Sequence, residues 1–506
     1  MRFLIHGLIQ AQAERTPEAP ALWDRRRTLT YAELWQAVER TARGLLAAGL
    51  GRGDRVAVYL EKRLETVVAL FAAARAGGVF VPINPQLKPR QVEHILNDSD
   101  ARLLVTSADR MVTLQLGQGV KAIAVDRPEW ETLDGSVEPP LAIDNDMAAI
   151  LYTSGSTGLP KGVVLSHRNL LVGAQSVAQY LGLAPQDRVL ALLPLSFDAG
   201  LSQLTTAFAA GAQAVLYNYL LPHDVPRTVA EHGTTVLTGV PPLWIRLAEL
   251  DWPEPAKRSL RLIANTGGHM PRSVLQRLRA ALPNATPFLM YGLTEAFRST
   301  YLDPAEIDRR IDSIGKAIPN AEILVVRPDG SLCDAEEPGE LVHRGALVSL
   351  GYWNDPARTA ERFRPAPSQP AGLPHPELAV WSGDIVRRDK DGFLYFVGRR
   401  DEMIKTSGYR VSPTEIEEVL YASGLVGEAA AVGVPDPVLG QVIVAVVAPA
   451  QDMSVDLAAV QAALKRELPP YMVPQRVDVR PSLPRNANGK IDRALLAREL
   501  AAGASA

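Results

Sequence analysis

Only one cysteine, Cys333, occurs in 506 residues. No intrachain disulfide can form, and a reducing cytoplasm is the simplest setting for such a chain. That cysteine lies in the polar run Asp329-Gly330-Ser331-Leu332-Cys333-Asp334, which reads as a turn, so a covalent thioester on the protein itself is not expected. No uninterrupted apolar stretch approaches the ~20 residues needed to cross a bilayer, which predicts a soluble protein with no membrane span. The run from Met1 to Ile9 is followed by Glu14-Arg15 without a small-residue cleavage site, and it is read as an amphipathic first helix rather than a signal sequence. A large excess of charge of one sign is lacking as well. The formal net charge is -3, so no basic excess points to nucleic acid, and any anionic ligand must be held by local donors. Sequence repeats and low-complexity segments are absent.

A composition of 47% hydrophobic and 22% charged residues is that of a globular chain, and its length requires two or more domains. Apolar residues at Leu34, Ala37, Val38, Leu45 and Leu46 predict a helix that stops at Gly49 to Asp54. A strand at Arg55 to Leu60, a helix at Glu65 to Ala76 and a strand at Val79 to Pro82 predict a parallel strand–helix–strand unit. Further strands at Ala101 to Val105 and Val189 to Leu193 make the bulk of the chain a multilayer α/β domain. The proline-rich run Arg364 to Pro376 is read as an exposed loop. Composition changes near Gly398-Arg399-Arg400-Asp401. Beyond it come a helix (Pro413 to Ala422), an apolar strand (Ala429 to Val434), an alternating strand (Gln441 to Val447) and an amphipathic helix (Leu457 to Leu468). The expected organisation is a large N-terminal domain over 1–398, a hinge at 399–401 and a small α+β domain over 402–506.

The chemistry centres on Leu151-Tyr152-Thr153-Ser154-Gly155-Ser156-Thr157-Gly158-Leu159-Pro160-Lys161-Gly162, directly after an apolar run. Glycines let backbone N–H groups approach an anion, hydroxyls add compact donors, and a lysine adds a mobile positive charge. By composition alone this is equally a solvated Ser/Gly/Thr turn. The order of residues does not fit G-x-x-x-x-G-K-[ST], the P-loop of kinases and GTPases. It resembles instead the signature of the AMP-forming acyl-adenylate synthetases, a superfamily of acyl-CoA synthetases, luciferases and peptide-synthetase adenylation domains.

Further motifs follow in that family's order. In Tyr291-Gly292-Leu293-Thr294-Glu295 the resemblance implies an aromatic face against adenine, a threonine on phosphate and a carboxylate for Mg²⁺; read alone, it is a turn with Thr294 as a helix cap. Thr266-Gly267-Gly268 resembles the adenine-side segment. Asp384, in Trp381-Ser382-Gly383-Asp384, resembles the ribose-binding carboxylate, with Arg399 also reaching the ribose; an Asp after Gly is otherwise a turn residue. Asp401 would be the pivot of the small domain. Lys405-Thr406-Ser407-Gly408-Tyr409-Arg410 would face the site in the thiol half-reaction, with Lys405, Gly408 and Arg410 its key positions. Lys490, in Asn488-Gly489-Lys490, resembles the adenylation lysine; without context it is a solvated turn residue.

The resemblance therefore implies an ATP-dependent ligase that activates a carboxylic acid as acyl-AMP and passes it to a thiol. ATP binding falls to Thr153, Ser154, Gly155, Ser156, Thr157, Gly158, Lys161, Gly267, Gly268, Tyr291, Gly292, Thr294, Asp384, Arg399 and Lys490. Catalysis falls to Lys490, Thr153 and Glu295, with Glu295 also the metal residue. The acid pocket would be Phe197, Asp198, Gly239, Asn265 and Gly292. Phe197-Asp198 resembles amino-acid-activating domains, in which the aspartate holds a substrate ammonium; Asp198 is equally read as facing solvent or capping a helix that starts near Leu201. Gly239-Val240-Pro241-Pro242 and Asn265-Thr266-Gly267-Gly268 look like the acyl-CoA ligase branch. Over its length the chain also resembles stand-alone acyl-CoA ligases of exosortase systems. No carrier domain follows Lys490, so CoA or a separate phosphopantetheinyl carrier protein would act in trans. Two other readings remain: a stand-alone amino-acid adenylating enzyme, and a catalytically silent nucleotide-binding regulator, which would show degraded motifs at Lys490 or Glu295.

Overall fold

The computed structural model describes residues 3–25, 27–117, 119–153, 160–367, 369–370, 372–399, 403–406, 409–436, 439–450, 454–486 and 489–504. Among them three sheets form. The first has seven strands, running in space from Gly351–Tyr352 through Lys161–Ser166, Met147–Thr153, Val79–Pro82, Arg55–Tyr59 and Ala101–Thr106 to Lys121–Ala124. Arg55–Tyr59 pairs in parallel with both Val79–Pro82 and Ala101–Thr106, as expected when each connection returns through a helix or long crossover. The second, a fourteen-stranded sheet, carries parallel strands Arg188–Ala191, Val236–Gly239, Leu262–Asn265 and Thr286–Tyr291, then continues antiparallel through Thr300–Leu302 and Ser313–Ala317 to Leu378–Arg388 and Leu394–Arg399.

Helices fill the space between these sheets. Leu64–Arg75 is apolar around nearly its whole circumference and ten of its residues are buried, the behaviour of a helix covered on all sides. Asp198–Ala210 is enclosed in the same way, from Asp198 to Phe208. The first helix, Gly7–Arg15, packs Leu8 and Ile9 into this core. The next spans Tyr31–Ala47 and starts on a reciprocal pair: the Thr30 hydroxyl accepts from Glu33 N–H while the Glu33 carboxylate accepts from Thr30 N–H.

The third sheet has five strands drawn from residues between Ile404 and Val479, flanked by helices Pro413–Ala422, Leu457–Glu467 and Arg493–Ala504. The strand expected to alternate, Gly440–Ala448, is instead covered on both faces. Ile443, Ala445 and Val447 join one cluster with Ile416 and Leu464, while Val444, Val446 and Ala448 join another with Leu496 and Leu500. Two helical layers thus sandwich it, which removes the polar face.

Two other expectations change. The Arg364 to Pro376 loop begins as a strand, Phe363–Pro365, paired on Leu378–Arg388. Cys333 lies in a turn-like run yet is buried, its Sγ donating to the Pro338 carbonyl at 3.8 Å, and burial pushes its thiol pKa up. No helix among the described residues is long and apolar enough to cross a membrane.

Candidate active site

The hairpin Met147–Thr153 and Lys161–Ser166 pairs Thr153 with Lys161 and Tyr152 with Gly162. The two ends of the glycine-rich connection are therefore held side by side. Ser154, Gly155, Ser156, Thr157 and Gly158 lie outside the described residues, so the structure speaks to this stretch only at its margins. At one margin the Thr153 hydroxyl is buried with no hydrogen-bond partner among the described residues, a costly condition that a phosphate oxygen would relieve. At the other, Lys161 Nζ lies 3.2 Å from Glu295 Oε1 and donates to the Tyr352 hydroxyl at 2.8 Å. Tyr352 in turn donates to Glu295 Oε1 at 2.5 Å.

This closed triangle sets the charges. Burial pushes the Glu295 pKa upward, but Lys161 and the Tyr352 hydroxyl outweigh it and leave the carboxyl below its ordinary range. For Lys161 burial prevails over the pull of Glu295 and lowers the pKa. Glu295 lies in a single 3₁₀ turn, Thr294–Ala296. Thr294 is the first residue of that turn rather than its cap, because the capping position is Leu293 and no side chain accepts there.

A second group forms where Leu378–Arg388 and Leu394–Arg399 run antiparallel and set Asp384 opposite Arg399. Arg399 Nε lies 3.1 Å from Asp384 Oδ1, and the Tyr291 hydroxyl donates to Asp384 Oδ2. Burial, with the Asp384 carboxylate adding to it, raises the Tyr291 pKa well above ordinary, so the phenol stays protonated. Tyr291 ends strand Thr286–Tyr291, four residues before Glu295, and this spacing joins the two groups.

The third wall is the end of Leu262–Asn265. Asn265 Nδ2 donates to the Gly268 carbonyl at 2.9 Å and closes a tight turn in which Gly267 has φ +76°. A Cβ on Gly267 would stand 3.2 Å from Lys490 Cε, 3.3 Å from Val240 Cγ1 and 3.5 Å from Phe197 Cζ. Lys490 Nζ lies 5.7 Å from the Phe197 ring centroid. Four segments from across the chain converge here, one of them from the small domain.

The small domain is seated by carboxylates. Glu418 accepts from Arg272 N–H at 3.1 Å and meets His269 Nε2 at 2.9 Å, while Glu428 Oε1 lies 3.3 Å from Arg246 and 2.6 Å from Arg485. Asp401 and Gly408 lie outside the described residues. Lys405 and Arg410 are register partners in the backbone pairing of Ile404–Thr406 with Tyr409–Val411, in the third sheet.

Asp198 departs from two of the readings given for it, the solvent-facing one and the cap at Leu201. Neither exposed nor capping a helix at Leu201, it is the first residue of helix Asp198–Ala210 and is 4% exposed. Its Oδ1 accepts from Ala199 N–H at 2.8 Å, and its Oδ2 accepts from Arg298 Nη1 at 3.1 Å. Glycines fit the turns around it. A Cβ on Gly292 would stand 3.0 Å from Arg298 Cα, and one on Gly239 would stand 2.9 Å from the Trp244 indole.

Arg298 and Tyr352 were missed by motif reading. Each acts through a partner distant in sequence, and the only available signal was an arginine three residues beyond the Glu295 motif. Among the described residues no three or more His, Cys, Asp or Glu side chains gather as a metal-holding group.

Residues 9–353 match the AMP-binding enzyme family and residues 415–490 match the AMP-binding enzyme C-terminal domain. The chain belongs to the AMP-binding enzyme family, of acyl-adenylate-forming type. It is 32% identical to an L-proline–[L-prolyl-carrier protein] ligase of Pseudomonas fluorescens, over 98% of this chain and 99% of that one. It is 34% identical to a feruloyl-CoA synthase of Amycolatopsis, over 95% and 96%. Among solved structures it resembles the o-succinylbenzoate CoA synthetase of Bacillus subtilis in complex with its acyl-adenylate intermediate, with TM-score 0.84, 30% identity and 97% of each chain covered.

Proposed function

We propose that the three walls described above divide the work of an ATP-dependent acid–thiol ligase. The enzyme joins a carboxylic acid to ATP, giving acyl-AMP and pyrophosphate, and then passes the acyl group to the thiol of CoA or of a phosphopantetheinyl carrier protein in trans, releasing AMP. What supports this division is the placement of Lys490 beside Phe197 and Gly267, together with the closed Lys161–Tyr352–Glu295 triangle.

In the first step a carboxylate oxygen bonds to the α-phosphorus and the bond to the β-phosphate oxygen breaks. Two anions must meet, so the site chiefly positions them and offsets charge. Tyr291 and Gly267 flank the adenine, and Asp384 with Arg399 takes the ribose hydroxyls. Thr153, Thr294 and the Ser154 to Gly158 loop hold phosphate oxygens, assisted by Lys161. Lys490 bridges the attacking carboxylate and the α-phosphate. Magnesium fits Glu295, a hard carboxylate oxygen that is kept anionic. Bound there, the ion would supply charge neutralisation on the departing pyrophosphate.

Rotation about Asp401, with 1–398 and 402–506 as the bodies, would withdraw Lys490 and bring Lys405, Gly408 and Arg410 to the acyl-adenylate for the thiol step. A cytoplasmic setting is part of the same reading, given a single cysteine. Acid-dependent exchange of pyrophosphate into ATP is the test. Exchange that requires both an acid and Mg²⁺ is expected, and its absence across a broad panel of acids would contradict the reading, leaving a silent nucleotide-binding protein.

A further inference from the structure

Lys490 is carried on a turn that is tied at its neck. Arg485 and Ile491 form an antiparallel bridge, and Asp492 N–H donates to the Pro484 carbonyl at 2.8 Å. Within the turn, Asn486 N–H donates to the Lys490 carbonyl at 2.8 Å, and Asn486 Oδ1 accepts from Lys490 N–H at 3.1 Å. Arg485 joins this turn to the body of the small domain. Its Nη1 donates to the carbonyl of Gly489, one residue before the lysine, at 3.1 Å, and its Nη2 donates to Glu428 Oε1 at 2.6 Å. A planar guanidinium fixes both bonds in one geometry, which a lysine ammonium at that position could not.

Glu428 reaches further than the turn. It opens strand Glu428–Asp436, is 3% exposed, and accepts from Leu483 N–H at its Oε2 at 3.0 Å. The Oε1 that takes Arg485 also meets Arg246 Nη2 at 3.3 Å. Arg246 belongs to the large domain, at the end of helix Pro241–Leu247. That helix follows Val240, which borders Gly267 together with Lys490. One large-domain element thus begins beside Lys490 and ends on the carboxylate that braces the Lys490 turn.

The two contacts of Oε1 differ in what a rotation of the small domain does to them. Arg485 and Glu428 travel together, as do Glu417 and Arg493 on the far side of the turn, which pair at 2.6 Å. The Arg246 contact crosses between domains and is lost when the small domain turns. Loss of both partners would strand a buried carboxylate, a cost of several kcal/mol. Because Arg485 stays, release of Arg246 leaves Glu428 paired, and the junction can open at low cost.

We propose that Glu428 is a positioning residue for the adenylation step, sensing the seated small domain through Arg246 and setting the Lys490 turn through Arg485. It acts through Lys490 rather than on substrate. This rests on the ligase reading above and on the place of Lys490 in it.

The test is Glu428→Gln, which keeps the shape and an oxygen for Leu483 N–H but removes the charge, with each half-reaction followed separately. The kcat of acid-dependent pyrophosphate exchange is expected to fall about 10-fold or more, with the KM for ATP within about 2-fold of the parent. Transfer from preformed acyl-AMP to the thiol is expected to continue at close to the parent rate. Arg246→Gln alters only the large domain, where the arginine is 31% exposed, and should lower the exchange about 3-fold or more. Arg246→Lys, still able to offer one charge to one oxygen, should recover most of that loss. The double variant Arg246→Gln with Glu428→Gln should lose no more than Glu428→Gln alone, since the contact is already gone.

Unchanged exchange in Glu428→Gln, equal losses in both half-reactions of the folded variant, or fully additive losses in the double variant would overturn the assignment alone. Where Glu428→Gln melts low, Arg246→Gln decides, and unchanged exchange there would equally overturn it. Exchange that survives Lys490→Ala, or no exchange by the parent with any acid, would overturn the reading beneath it as well.

Discussion

The Tyr352 hydroxyl accepts from Lys161 and donates to Glu295, so a single phenol keeps a part-buried cation and anion at a fixed separation. Tyr352→Phe removes both bonds without changing shape. Pyrophosphate exchange is expected to fall about 10-fold or more, the order for one charge-assisted hydrogen bond, with little change in melting temperature; unchanged exchange would show the triangle to be idle. Buried histidines make a separate prediction. Burial lowers His343 from 6.5 to about 3 and His167 from 6.5 to about 4. His167 Nδ1 also accepts from Ile5 N–H, which needs the unprotonated ring. Below pH 6.5 the unfolded chain takes up protons that the folded chain refuses, so stability is full above that pH and is lost as pH falls toward 3 to 4, by about 1.4 kcal/mol per histidine per pH unit. Melting curves of His343→Gln should therefore decline less between pH 7 and pH 5 than those of the parent; parallel declines would contradict the assignment. Neither Tyr352 nor Arg298 was legible in the sequence. Their roles come from partners 57 and 100 positions away, and local spacing carries no information about such pairings. Nor does a phenylalanine announce the positive φ of Phe297.

At the scale of elements much more was legible. Arg55–Tyr59, Leu64–Arg75 and Val79–Pro82 stand within a residue or so of the expected strand, helix and strand, and Pro413–Ala422 stands where its periodicity put it. Apolar runs bounded by glycine and proline mark such segments well. Strand Gly440–Ala448 misled because residues of similar size on both faces look alternating until both faces acquire covers. The start of Asp198–Ala210 was also misplaced. The Phe197 N–H donates to the Pro194 carbonyl, and the chain folds back so tightly that a Cβ on Gly200 would overlap the Pro194 carbonyl oxygen. Gly200→Ala is therefore expected to destabilise the fold by about 1–3 kcal/mol and to displace Asp198 from Arg298. Denaturation midpoints would show it, and a midpoint within error of the parent would mean that the turn relaxes at no cost.

Across the whole molecule the order of motifs was legible and the seating of the small domain was not. That seating depends on Glu418 and Glu428, ordinary helix and strand residues with no motif around them. Burial opposes ionisation of Glu418, yet His269 and the Arg272 N–H more than compensate and keep it an anion. Glu418→Ala should weaken docking and lower the adenylation step severalfold while sparing thioester formation from preformed acyl-adenylate; equal losses in both steps would place Glu418 outside the switch. The most direct measurement is made on Lys490→Ala, with each half-reaction followed separately in single turnover. Alternation of two walls over one site predicts that acid-dependent pyrophosphate exchange is lost by two or more orders of magnitude while transfer from preformed acyl-AMP to the thiol continues at close to the parent rate. An equal fall in both half-reactions of a folded variant would contradict it.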